Sequence, residues 1–126
     1  ENDKPIIGIY NVNNEGSGDM YSKGSAMIHT IRQLINNDEK FRQLLRDLNK
    51  RFWHTTVTTQ QIERFIIEYT NLPLELVFNQ YLRTIQIPIL EYKIKGNKVQ
   101  YHWANCIEGL FFANKNFSFL FSGVSM

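Results

Sequence analysis

The hydrophobic period of the chain changes at Ile85, and this constrains the fold more than any other feature. Before that point apolar residues recur at helical spacing in four stretches; after it they alternate with polar ones. Ile87-Pro88-Ile89 marks the junction, because a proline inside a helix removes a hydrogen bond and clashes with the turn before it. Leu90 to Lys95 alternates with period two, Gly96-Asn97 supplies a turn, and Val99 to Trp103 alternates again, which predicts a β-hairpin. Ile107 to Phe112 is a candidate third strand. A lone hairpin is marginal in water, so these strands read as the opening of a second, β domain.

The four helical stretches follow from their stripes and their punctuation. The first runs over residues 20–35, with Met20, Met27, Ile28, Ile31, Leu34 and Ile35 on one face and Ser17 or Asp19 as its cap, after a loop from Asn13 to Gly18. Gly24 inside it costs about 1 kcal/mol relative to Ala, which predicts close approach of another backbone or side chain. The second runs from Asp38 to about Trp53, with Phe41, Leu44, Leu45, Leu48 and Phe52 inward and Arg42, Arg46, Asp47 and Lys50 in water. Thr58 and Gln61 have capping-box spacing at the start of the third, which ends near Tyr69 and turns Ile62, Phe65, Ile66 and Tyr69 inward. Asn71-Leu72-Pro73 leads into the fourth, with Pro73 in its first turn and Leu74, Val77, Phe78, Tyr81 and Leu82 buried. Pro5 and Gly8 weaken a strand over the apolar residues 5–12. The expected fold is mainly α, in an α+β arrangement. A compact antiparallel bundle of about four helices is followed by a C-terminal β-hairpin or small antiparallel sheet.

Composition narrows the function classes. The chain has 126 residues, enough for one modest domain or part of a larger one. A hydrophobic fraction of 43% argues against disorder. The net charge of +2 is spread through helices beside acidic residues, which argues against a nucleic-acid partner. No apolar run is long enough to span a bilayer. The single Cys106 excludes an internal disulfide and leaves the compartment undecided. The start Glu1-Asn2-Asp3-Lys4 has neither an initiator Met nor a signal-peptide character, and reads as cut from something longer. His29, His54 and His102 have no metal-ligand spacing and Cys106 has no partner Cys, so no metal site is expected in this chain.

Tyr21 is the residue with chemistry to weigh. A phenol is neutral at pH 7 and can donate to a developing oxyanion. By spacing alone, a first-turn Tyr packed on the second or fourth helix is the commoner arrangement. The run Met20-Tyr21-Ser22-Lys23-Gly24, with Arg32 and Leu34, resembles the Tyr-x-Lys-Gly segment of aminopeptidase N-like zinc metallopeptidases, the gluzincin aminopeptidases. The resemblance continues in order over residues 3–110: Asp38-Glu39-Lys40-Phe41 at a helix start, Thr58-Thr59-Gln60-Gln61 at a helix cap, and the helix from Leu74 to Leu82 with Tyr81 where the family has Trp. Ile87 to Tyr92 is similar to the family's step into a β-sandwich domain.

The resemblance implies that residues 1–84 are the helical C-terminal part of a thermolysin-like catalytic domain, and residues 85–126 a truncated start of a β-sandwich. It implies Tyr21 as the catalytic transition-state stabiliser, a peptide substrate, and zinc in the intact enzyme. The zinc ligands, general base and amine-binding strand would all lie before Glu1, so the chain alone is expected to be inactive. The tail after Gly109 departs from the family pattern. The second reading is a non-enzymatic helical module that self-associates or binds protein through edge strands and the apolar tail carrying Phe111, Phe112, Phe117, Phe119 and Phe121.

Overall fold

A computed structural model describes residues 2–10, 16–110 and the backbone of 117–120. Four helices are followed by an antiparallel hairpin, a mainly helical α+β chain: α1 (Met20–Ile35), α2 (Asp38–Arg51), α3 (Thr59–Thr70), α4 (Glu75–Arg83), β1 (Ile89–Lys95), β2 (Lys98–Ala104) and β3 (Phe117–Leu120). The chain divides into two units, Glu1–Thr84 and Ile85–Met126.

Local capping explains several of the breaks between helices. Asn36 closes α1 in the left-handed region at φ 48, a conformation Asn tolerates, and its N–H donates to Arg32 O. Asn37 then caps α2 by accepting from Lys40 N at 2.9 Å. Thr58 and Gln61 form the full capping box of α3, and Asn71 at φ 56 ends it. Pro73 stands before Leu74, the N-cap of α4, and so outside the first turn where its spacing placed it. Its fixed φ leads the chain into the helix without occupying a helical position.

Helices α1 and α2, α2 and α3, α3 and α4, and α4 and α1 pack pairwise, which closes a ring. Met27 and Ile31 from α1, Leu44 from α2, Ile66 from α3, and Val77, Phe78 and Leu82 from α4, with Leu74 at its cap, are buried. Each fully buried side chain of this size contributes about 1.5–3 kcal/mol. Each pairing also has a polar tie. Arg32 grips Asp38 with two 2.8 Å hydrogen bonds, Tyr69 donates to Asp47 at 3.1 Å, Arg83 meets Glu63 at 2.7 Å, and Thr30 and Tyr81 hydroxyls lie 3.2 Å apart.

Three stripe residues, Met20, Ile28 and Leu45, are exposed instead of buried. On α1 the buried row is Lys23, Met27 and Ile31, four residues apart, and Met20 and Ile28 fall to its sides. The described residues 5–10 form no strand; Ile9 and Tyr10 are exposed, and Ile7 N donates to Leu82 O at 2.9 Å. Much of the predicted Asn13–Gly18 loop lies outside the described residues.

In the second unit β1 and β2 pair from Ile89↔Ala104 to Lys95↔Lys98 across Gly96-Asn97. Gly96 takes φ 60, which a primed hairpin turn needs at its first position. Asn105 Nδ2 donates to Ile87 O at 2.9 Å and ties the open end of the hairpin. Ile107 to Leu110 is not the third strand: Leu110 N turns back to Ile107 O, and Gly109 sits at φ 82. The strand that pairs with β2 is Phe117–Leu120, with Lys98 opposite Leu120. Phe111, Phe112 and Phe121 of the predicted sticky tail lie outside the described residues, as do the side chains of Phe117 and Phe119. No described helix is long and apolar enough to cross a membrane.

Candidate functional site: the first turn of α1

The opening of α1 is built by backbone and hydroxyl bonds rather than by its acidic cap. Ser17 is buried; its carbonyl accepts from Met20 N at 3.0 Å and its Oγ from Asp19 N at 3.2 Å. Asp19 holds the N-cap position without a side-chain capping bond. Its Oδ2 is buried and has no hydrogen-bond partner among the described residues.

Tyr21 and Lys23 are two residues apart on a helix, hence about 200° apart around its axis. The structure shows the consequence. Tyr21 is 75% exposed and Lys23 is 6% exposed. The Lys23 ammonium donates to Thr84 O, the carbonyl at the C-cap of α4, and reaches Asn2 Oδ1 at 3.4 Å. A cation there suits the negative end of the α4 dipole. Burial pushes the Lys23 pKa down, against a smaller upward pull from Asp19. Lys23 therefore anchors the turn from the inside while Tyr21 projects from the outside. Tyr21 is not buried against α2 or α4 as an ordinary first-turn Tyr would be.

Tyr21 borders a surface groove of about 520 Å³ between α1 and Phe41 of α2. The α1 wall is Tyr21, Gly24, Ser25 and Ile28, spaced i, i+3, i+4 and i+7, with His29 and Arg32 beyond. Gly24 shows no close approach among the described residues: a Cβ built there meets none of their atoms within 4 Å. Its missing side chain widens the groove instead. Sequence reasoning passed over Lys23 as a structural residue. The available signal was its place four residues before Met27 and eight before Ile31.

The three histidines have three different surroundings. His29 lines the groove, His54 lies edge-on to Trp53 with ring centres 4.6 Å apart, and His102 Nε2 is 3.0 Å from Glu91 Oε2. Among the described residues no three His, Cys, Asp or Glu side chains gather as a ligand set, so zinc does not fit a site within them. Cys106 donates to Ala104 O at 3.4 Å, and burial raises the pKa of its thiol. Chemically, the groove offers an apolar floor, a phenolic donor and a guanidinium at its far end. No family model matches the chain, and no solved structure gives a significant match to it.

Proposed function

We propose that the helical unit is the part of a zinc-dependent aminopeptidase catalytic domain that carries the oxyanion-stabilising tyrosine, and that Tyr21 is that residue. The observation that supports this reading is the two-sided first turn of α1. A Tyr pinned in place by a buried Lys two residues on, yet itself exposed beside an apolar groove, is a donor held ready for a group on another surface. In this reading zinc is held by residues outside these 126, and the substrate is a peptide with a free N-terminus. The Tyr21 phenol donates its O–H to the carbonyl oxygen as negative charge develops there, an interaction stronger in the transition state than in the bound substrate.

The test is hydrolysis of an aminoacyl anilide by the native protein that contains this chain, after its mass in the source cells is measured by immunoblot. Tyr21→Phe is expected to lower kcat by about 10²–10³, the usual effect of losing one oxyanion donor, with KM little changed. Because Tyr21 is exposed, the unfolding midpoint should stay where it is. The 126-residue chain alone is expected to show no turnover. Unchanged kcat in the variant, or zinc-dependent turnover by the chain alone, would overturn the reading.

A further inference from the structure

The outer edge of the hairpin, which no described strand pairs, carries a pattern that fits itself. β1 is the outer strand in the order β1-β2-β3, and every residue of β1 is exposed. A two-residue turn makes Lys95 and Lys98 a hydrogen-bonded pair, and the antiparallel alternation then directs the backbone groups of Ile89, Glu91, Lys93 and Lys95 toward β2. The N–H and C=O groups of Leu90, Tyr92 and Ile94 point away from the sheet. They form a template for another strand.

The side chains sort the same way. Leu90, Tyr92 and Ile94 share a face with their partners Trp103, Tyr101 and Val99, and Glu91 and Lys93 share the opposite face with His102 and Gln100. Glu91 Oε2 lies 3.0 Å from His102 Nε2, which holds its carboxylate on that polar face. Consider two β1 strands meeting antiparallel about a two-fold axis at Tyr92. Tyr92 then faces its own copy once, while Leu90 faces Ile94 and Glu91 faces Lys93 twice each. Centring the axis on Glu91 or on Lys93 would set like charges directly opposite, which is destabilising. The Tyr92 register also places the outward backbone groups of Leu90, Tyr92 and Ile94 in hydrogen-bonded pairs. Charge and apolar matching select it, and the backbone phase allows it.

We propose that β1 pairs with β1 of a second copy of this chain in the Tyr92-centred register, joining two sheets into one. The interface is isologous and closes on itself as a dimer. It is independent of the role of Tyr21.

Sedimentation of the unmodified chain up to about 100 µM is expected to show a reversible dimer, in the range where modest interfaces assemble. Lys93→Glu or Glu91→Lys alone sets two like-charge pairs across the axis and should weaken dimerisation about tenfold or more. Mixing the two single variants should restore a dimer, because each supplies the charge the other lacks at both positions. A readout that needs no variant is amide exchange in the unmodified chain: protection at Leu90, Tyr92 and Ile94 should rise with concentration. A chain that stays monomeric, single variants that dimerise as well as the parent, or a mixture no better than its components would each overturn the proposal.

Discussion

Replacing Lys23 separates the two jobs of its side chain. The stem is buried in the helical unit, and the ammonium bridges α1 to the end of α4. Lys23→Met keeps the volume of the stem and removes the charge. The charged hydrogen bond it loses is worth about 1.5–3 kcal/mol. Against that stands the cost of burying the cation, large enough to lower its pKa despite the neighbouring Asp19. Two opposed terms of similar size leave a net change of less than about 1 kcal/mol at neutral pH. Lys23→Ala also removes three buried methylenes, at about 0.8 kcal/mol each, and should be about 2–3 kcal/mol less stable than the Met variant.

Urea unfolding followed by far-ultraviolet circular dichroism measures both. The pH dependence supplies a second check. A lysine whose pKa is lowered on folding binds its proton more tightly in the unfolded chain. Stability of the parent should therefore rise as pH climbs from the lowered folded value to the ordinary value of 10.5, and Lys23→Met should lack that rise. A Met variant that loses more than about 3 kcal/mol, or a parent advantage that falls with pH over this window, would refute the reasoning.

Two further predictions concern α1 and its exit. Gly24→Ala should stabilise the helical unit by about 0.5–1 kcal/mol, since the helix gains a better former and the new methyl meets nothing within 4 Å among the described residues; a destabilised variant in urea unfolding would reveal an approach to Gly24. Arg32 holds the Asp38 carboxyl below its usual range, chiefly through their hydrogen bonds. The contribution of this pair is present above about pH 4 and lost as pH falls through the lowered folded value. The unfolding midpoint of Asp38→Asn should therefore lie slightly below the parent at pH 7 and converge with it in acid.

The four helices and the hairpin were legible because their signals are local. Asn36, Thr58 with Gln61, and Gly96 each act through bonds to residues within four positions, so sequence spacing suffices to find them. The third strand was not found at Ile107–Leu110 because strand-like composition there gives way to a turn at Gly109, and the residues that pair with β2 come later, at Phe117–Leu120. The exposed Met20 and Ile28 show the same limit on α1. A stripe counted from apolar residues alone is broader than the row that is buried, and Lys23 occupies a place in that row which hydropathy assigns to water.

That misassignment bears directly on the candidate site. A Tyr-x-Lys pair on a helix cannot put both side chains on one face, because two residues advance about 200° around the axis. One must point in if the other points out. An exposed Lys with a buried Tyr would be the ordinary outcome, since Lys is rarely buried and Tyr often is. The opposite arrangement requires something inside to receive the ammonium, and here the Thr84 carbonyl at the end of α4 does so. The orientation of Tyr21 is thus set by a residue 63 positions away in the chain. If this orientation serves the proposed chemistry, Lys23→Met in the native protein should leave the fold nearly as stable yet lower kcat, because a looser first turn holds the phenol less accurately. Equal loss of stability and activity would mean that Lys23 serves the fold alone.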